Sequence, residues 1–188
     1  MTIAQTFRPV SAHAATKALY DVVTVALGSA MIVLSAQIRI ELPFSPVPIT
    51  GQTFAVLLVG LFMGSNRGLA AVTAYLVEGM SGLPVFAGGA AGAMFLAGPT
   101  GGYLIGFLPA AFATGYLAER RWDRNVWLTI LAALVGLSLI YMFGLAWLSN
   151  FVMRDQLLAV GLYPFMIGAA IKVAAAATLL PSLRKFMH

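Results

Sequence analysis

Residues 126–151 read VWLTILAALVGLSLIYMFGLAWLSNF, an apolar stretch that contains no Asp, Glu, Lys or Arg. An α-helix rises 1.5 Å per residue, so about 20 apolar residues suffice to cross the hydrocarbon core of a bilayer. This stretch exceeds that length, and no proline interrupts it. It therefore predicts a membrane-spanning helix and indicates that the chain is an integral membrane protein.

The composition of the whole chain indicates the same class of protein. The chain has 188 residues, of which 61% are hydrophobic and 9% are charged, and its mean hydropathy is +0.93. Soluble domains carry about 25% charged residues, so a soluble fold would have no place for this much apolar surface. Six spans use about 120 residues and leave room only for short loops. We therefore predict an all-α integral membrane bundle, with residues 1–188 forming a single transmembrane domain.

Six apolar segments are separated by proline, glycine and charged residues. The predicted helices cover about residues 17–37, 50–64, 68–80, 101–117, 126–151 and 162–183. The segments 38–50 and 82–100 between them are apolar and rich in Gly and Pro. Irregular backbone is tolerated near the membrane only where protein or a cavity covers it, so we expect these outer loops to cap a ligand pocket. The alternative is that they are ordinary external loops.

The distribution of basic residues predicts the orientation of the bundle. If the N-terminus is inside, most of the 11 basic residues are cytoplasmic, namely Arg8, Lys17, Arg67, Arg120, Arg121, Arg124, Arg184 and Lys185. Basic loops remain in the cytoplasm during insertion, so we predict six spans in the bilayer with both termini cytoplasmic. This arrangement also explains the net charge of +5 without any nucleic-acid partner.

The sequence lacks the motifs of catalysis and of metal binding. It has no Cys, no HExxH and no GxSxG, and its two histidines, His13 and His188, lie near the ends of the chain. No stretch resembles GxxxxGK[ST], the loop that cradles nucleotide phosphates. We expect no enzyme activity, no metal site and no cofactor. If transport requires ATP, another chain must hydrolyse it.

Two ionisable residues inside predicted spans are candidates for ligand contacts, because charge within the membrane is costly. Lys172 has no charged residue three or four positions away, so its partner must come from another helix or from a ligand. An ammonium in a cavity suits a carboxylate; alternatively, its long stem reaches the interface. Glu78, near the outer end of the third helix, could accept hydrogen bonds from a ligand, pair with Lys172 or Arg39, or face water.

Polar residues at the ends of spans form a second group of candidates. Gln52 and Thr53 open the second helix, where backbone N–H groups are free, and an amide both donates and accepts; a plain helix cap is the alternative. The other polar residues near span ends are Tyr103, Tyr141, Asn150 and Tyr163. Tyrosines at such positions also serve as interfacial anchors.

Ala26 and Ala30 form a small-xxx-small pair on the first helix. In lipid, such a face lets helices approach closely. Taken alone, the pair indicates internal packing rather than a surface for a partner protein.

Three ordered motifs give the chain a close resemblance to a known family. They are PFSPVPITGQTF at 43–54, GLPVFAGG at 82–89 and GPTGGYLIGF at 98–107. They resemble the BioY family, the biotin-specific, substrate-binding S components of energy-coupling-factor (ECF) vitamin transporters. The resemblance runs from about Ala18 to Leu183, which is nearly the whole chain.

The resemblance implies high-affinity binding of biotin near the outer face of a prokaryotic inner membrane. It also implies a complex with a transmembrane T component and a pair of ATPases. In this family a small-residue face on the first helix contacts the T component, and Ala26 and Ala30 match that face. The last helix of the family carries Gly-Asp-x-x-Lys after Pro-Phe. Here Gly168 and Lys172 match this motif, and Ala169 stands where the aspartate is expected.

Roles in binding biotin follow from the same resemblance. Lys172 would bind the carboxylate of the valerate tail. Glu78 or Asn150 would accept from the ureido N–H groups, and Gln52 would donate to the ureido carbonyl.

Two further elements complete the predicted site. The glycine-rich loop at 86–92, with Gly88 and Gly89, would lie over the ligand, because glycine allows close backbone approach. Tyr103, in the third motif, is a further predicted contact.

Three interpretations of function remain at this point. The leading one is a biotin-capture subunit that delivers the vitamin inward after docking to its T component and ATPases. The first alternative is a solitary, ion-coupled transporter of biotin or another small carboxylate, for which Glu78 is the only acidic residue deep enough. The second is a structural protein without a ligand, which leaves Lys172 and the apolar loops unexplained.

Overall fold

The computed structural model of the chain describes residues 2–6 and 13–186. The α-helices and strands in chain order are α1 (Ile3–Thr6), α2 (Ala14–Gln37), β1 (Arg39–Leu42), β2 (Ser45–Thr50), α3 (Gln52–Met63), α4 (Ser65–Met80), α5 (Ala93–Ala97), α6 (Gly101–Glu119), α7 (Val126–Leu148), α8 (Leu157–Gly161) and α9 (Tyr163–Phe186). The predicted helical architecture is confirmed in outline, with one addition, a two-stranded hairpin.

Helices occupy all six of the places that the apolar segments predicted. Among the described residues, four stretches are long and apolar enough to cross a membrane, namely Ala14–Gln37, Gly101–Glu119, Val126–Leu148 and Leu157–Leu180, the last of which includes α8 and most of α9. The other two helices are shorter: α3 has 12 residues and α4 has 16. Large apolar side chains are exposed on the outside of the bundle, which suits contact with lipid; examples are Leu19, Val22, Leu34, Trp127 and Ile171.

The segment expected to be an irregular proline loop is an antiparallel hairpin. Strand β1 pairs with β2 in a register that places Arg39 opposite Thr50 and Ile40 opposite Ile49. A two-stranded sheet leaves the outer N–H groups of each strand unpaired, so prolines are tolerated there. Pro46 and Pro48 therefore exclude a helix without excluding a strand. We call the end of the bundle that carries this hairpin the hairpin end.

Helix α4 begins three residues earlier than predicted because a carboxylate from another helix caps it. One Glu119 carboxylate oxygen, at the end of α6, accepts hydrogen bonds from the backbone N–H and the hydroxyl of Ser65, both at 3.0 Å. A negative charge at a helix N-terminus satisfies free N–H groups and the helix dipole. The Glu119 cap also ties α4 to α6 at the end of the bundle opposite the hairpin.

Small residues let α3, α4 and α6 pack closely against one another. A Cβ built on Gly60 would lie 2.6 Å from the backbone oxygen of Ala111, and one built on Gly68 would lie 3.0 Å from the Cα of Gly60. Close approach of this kind is the usual basis of helix packing in membranes. Gly60 and Gly68 therefore mark positions of closest approach among these three helices.

The Gly60 contact predicts a selective loss of stability. Overpacking of a filled core costs about 1–3 kcal/mol, so Gly60→Ala should lower the thermal unfolding midpoint of the detergent-solubilised chain. Gly168→Ala is the matched control, because a Cβ there has nothing within 4 Å; it should be neutral or stabilise α9 by up to about 1 kcal/mol. Equal midpoints for the two variants would contradict the close packing of α3 on α6.

Candidate functional site

A small cavity lies at the hairpin end, between β2, the segment after α4, and helices α3, α6, α7 and α9. Its volume is about 50 Å³, and we call it the deep cavity. Its apolar wall is formed by Val47, Pro48, Ala87, Phe95, Leu104, Phe107 and Phe165. Its polar side chains are Thr50, Gln52, Thr53, Thr100, Tyr103, Tyr141 and Lys172. Residues far apart in sequence thus form one site.

Lys172 supplies the charge of the deep cavity. Its ammonium donates hydrogen bonds to the backbone oxygen of Thr50 at 2.6 Å and to the hydroxyl oxygen of Thr53 at 2.7 Å. Both partners are neutral, and none of the described residues that line the cavity is acidic. The partner required for Lys172 thus comes from the junction of β2 and α3. The ammonium has a third donor and no counter-charge, so the site suits an anion.

Gln52 is held in one orientation at the start of α3. Its side chain is buried, its amide nitrogen donates to the hydroxyl of Tyr75 on α4, and its amide oxygen accepts from the Thr50 hydroxyl at 3.0 Å. An amide with both ends engaged presents a fixed donor and acceptor to the cavity. Polar contacts therefore run continuously from Lys172 through Thr50 and Gln52 to Tyr75.

Three aromatic rings from three helices form one side of the cavity. Tyr103, Tyr141 and Phe165 lie with centroids 6.3–6.5 Å apart. The Tyr103 hydroxyl donates to the backbone oxygen of Gly161 at 2.7 Å, so it fixes the junction of α8 and α9 rather than pointing freely at a ligand. The Tyr141 hydroxyl has no hydrogen-bond partner among the described residues. It is the better placed of the two to meet a ligand.

Glu78 and Asn150 do not line the deep cavity. Glu78 is partly buried between α4 and α2, where its carboxylate accepts from the Ser29 hydroxyl at 2.7 Å. Asn150 is exposed just after α7, and its amide donates to the backbone oxygen of Trp147 at 2.9 Å. The structure therefore places these two residues apart from Lys172.

Gly88 and Gly89 lie in a 3₁₀ turn beside the cavity, and the neighbouring Ala87 is the residue that lines it. Gly88 has φ +70°, and a Cβ there would collide with the guanidinium of Arg39. Gly89 has φ +75° and open space around its Cβ position. The Gly88 position thus accommodates the Arg39 side chain.

Ala26 and Ala30 are exposed on the outer face of α2. Gly28, between them in sequence, faces the other way, since a Cβ there would lie 2.8 Å from that of Ala71 on α4. The two alanines are therefore free of internal packing, contrary to what the small-residue pair indicates alone. Their face is available to lipid or to a partner protein.

A second and larger volume adjoins the deep cavity at the hairpin end. It measures about 430 Å³, and we call it the vestibule. It shares four wall residues with the deep cavity, namely Pro48, Ala87, Phe95 and Thr100. Its charged members are Arg39 and Glu41.

Sequence reasoning did not single out Thr50, Thr100 or the phenylalanines of the cavity wall. Thr50 and Thr100 lie within the family motifs, each directly before a glycine at the start of a helix. This position at the start of a helix is the sequence signal that could have identified both threonines as site residues. Phe95, Phe107 and Phe165 are indistinguishable in sequence from other apolar residues of membrane helices.

A sequence model of the BioY family matches residues 8–188 of this chain. The chain belongs to the BioY family. The biotin transporter BioY of Thermotoga maritima is 40% identical over 159 residues, which cover 84% of this chain and 91% of that protein. The biotin transporter BioY of Rhizobium etli is 38% identical over 168 residues, which cover 85% and 90% of the two chains. The resemblance carried by the three motifs is confirmed.

A solved structure agrees with this assignment. The fold is similar to the crystal structure of an S-component for biotin from an ECF-type ABC transporter, with a TM-score of 0.81 and 29% sequence identity. The match covers 93% of this BioY chain and 95% of the other. BioY proteins are transporter components rather than enzymes, as predicted for this chain.

Proposed function

We propose that this chain is the biotin-binding S component of an ECF-type transporter, and that it captures biotin at the outer face of a prokaryotic inner membrane. The observation that carries the proposal is the ammonium of Lys172, which lies in the deep cavity among neutral oxygens. A monocarboxylate ligand would supply the missing negative charge. Membership of the BioY family supports biotin as that ligand.

The carboxylate of biotin would bind at Lys172 and Thr53. The Thr53 hydroxyl accepts from the ammonium, so its own hydrogen is free to donate to a carboxylate oxygen. Charge-assisted hydrogen bonds of this kind are about twice as strong as neutral ones. Lys172 and Thr53 together would thus distinguish an acid from its amide.

The rest of the ligand would extend from the deep cavity toward the vestibule. Ligand pockets usually measure about 300–1,000 Å³, so the deep cavity at about 50 Å³ holds only one end of such a molecule. The vestibule, at about 430 Å³, is large enough to hold the rest of the ligand. Thr100 lines both volumes, and we assign its hydroxyl to the ureido group.

The membrane arrangement in this proposal has six spans, formed by α2, α3, α4, α6, α7 and α9, with both termini in the cytoplasm. The short helix α3 is mostly buried by its neighbours. It therefore contacts protein rather than lipid over much of its length. For this reason it can be shorter than a spanning helix that is exposed to lipid. The excess of basic residues in the cytoplasmic loops supports the orientation.

Transport in this proposal requires partner proteins. The sequence has no phosphate-binding loop of its own, so a pair of ATPases would supply the energy and a transmembrane T component would link them to this chain. The exposed face at Ala26 and Ala30 on α2 is the proposed contact for the T component, because small residues permit close helix packing.

Direct binding tests the proposal. The purified, detergent-solubilised chain alone should bind biotin one-to-one with a Kd at or below about 1 nM, close to −12 kcal/mol, by calorimetry or retained radiolabel. Absence of binding up to high micromolar biotin would contradict it. Measurements of uptake into vesicles distinguish this proposal from the ion-coupled alternative. Loss of uptake with a protonophore while ATP is present would favour a solitary transporter.

A further inference from the structure

The vestibule adjoins the deep cavity at the hairpin end, and Arg39 and Glu41 of β1 line it. Pro48, Ala87, Phe95 and Thr100 form a wall common to both volumes. A ligand that approaches Lys172 from the hairpin end therefore meets the vestibule first. The charges of the vestibule act on the ligand before those of the deep cavity.

Arg39 is the cation of the vestibule, and the fold holds its side chain in place. It starts strand β1, its guanidinium lies against Gly88, and it pairs with the Glu41 carboxylate at 3.0 Å. The Gly88 position has no room for a Cβ because the guanidinium occupies that space. The charge of Arg39 is thus fixed at the vestibule while its side chain remains 41% exposed.

The ion pair with Glu41 leaves Arg39 available to a ligand. The Glu41 side chain is 71% exposed, and exposed ion pairs contribute little to stability. A guanidinium has five N–H donors, so it has capacity for a second carboxylate. Glu41 nevertheless opposes the attraction of an anion, so the two residues should have opposite effects on the rate of entry.

We propose that Arg39 is the first contact site for the carboxylate of the ligand, which then passes through the vestibule to Lys172. This inference rests on the proposed function and adds a second cation to it. Charged groups at the mouth of a cleft raise the association rate of an oppositely charged ligand and affect its dissociation little. Arg39 thus acts on the rate of entry, whereas Lys172 acts on retention.

Stopped-flow association kinetics test this role at low ionic strength. Arg39→Gln should lower the association rate constant of biotin by about 3- to 10-fold, with the dissociation rate constant changed less than about 2-fold. Glu41→Gln should raise the association rate. Neither variant should alter the association of biotin amide, which is uncharged. Both effects should fade in about 0.5 M NaCl, where screening limits electrostatics to a few ångströms.

Arg154→Gln is the matched control, because Arg154 is an exposed basic residue after α7 that lines neither volume. Its association rate should equal that of the wild type. Unchanged biotin association in Arg39→Gln would overturn the inference, as would an equal slowing of biotin and biotin amide, which would reveal a distorted hairpin. If the wild type binds biotin tightly while Arg39→Gln associates normally, only this inference fails. If the wild type binds no biotin, the proposed function fails with it.

Discussion

Replacing Lys172 with methionine is expected to weaken biotin binding by about 30- to 1,000-fold, or about 2–4 kcal/mol. Methionine keeps an apolar stem in the wall of the deep cavity but removes the ammonium that now bonds to Thr50 and Thr53. A bound carboxylate would then lie desolvated and without a counter-charge. Biotin amide carries no charge, so its affinity should change by less than about 3-fold, within the range of a neutral hydrogen bond. Calorimetry with the two ligands measures both.

Two controls make the Lys172 result interpretable. Asn150→Ala alters a residue that is exposed and does not line the deep cavity, so it should bind both ligands as the wild type does. Biotin amide reports any collapse of the site in the Lys172 variant itself. An equal loss of affinity for acid and amide would show that Lys172 supports the hairpin and does not bind the carboxylate.

Tryptophan at both Ala26 and Ala30 is expected to weaken assembly with the proposed T component strongly while leaving biotin binding intact. The two positions are exposed on α2 and do not line the deep cavity. Two indole groups there would prevent the close helix approach that small residues allow. Co-purification of the T component should fall by at least about 10-fold, which corresponds to only about 1.4 kcal/mol of contact energy.

The matched control for this surface is Leu131→Trp on α7. Leu131 is also an exposed apolar residue on the outside of the bundle, and it lies on a different helix. This variant should assemble normally. Intact assembly of the double tryptophan variant, or equal loss in the Leu131 variant, would show that α2 is not the specific contact surface.

The helices were predictable because long apolar runs in this chain have few other structural solutions. The hairpin was not, because the prolines of the segment 38–50, Pro46 and Pro48 among them, indicate where a helix ends and do not by themselves predict a strand. In β2 the two prolines alternate with Val47 and Ile49, and such alternation is compatible with one strand of a two-stranded sheet. The sequence predicted approximately where the helices end, but it did not predict the conformation of the backbone between them.

The candidate site was predictable in part, and the limit was helix rotation. Lys172 could be chosen because charge inside a span is costly, and Gln52 because it opens a helix whose first N–H groups are free. Whether Glu78 points toward Lys172 or toward α2 depends on the rotation of α4 in the bundle, and apolar helices give little pattern from which to infer it. The structure places Glu78 beside Ser29 on α2. The phenylalanines of the cavity wall could not be predicted for the same reason.

The polar chain from Lys172 through Thr50 and Gln52 to Tyr75 joins α9, the hairpin, α3 and α4. Groups linked in this way polarise one another, and their energies are not separable into individual shares. Side-chain substitutions at Thr50, Gln52 and Tyr75 will therefore be non-additive, because removing one hydroxyl or amide leaves its partner unsatisfied. Lys172 bonds to the backbone oxygen of Thr50 and keeps that partner when the Thr50 side chain changes. Changes in ligand preference by single substitutions should arise more readily in the apolar wall, where no hydrogen-bonded partner is left unsatisfied, than among these four residues.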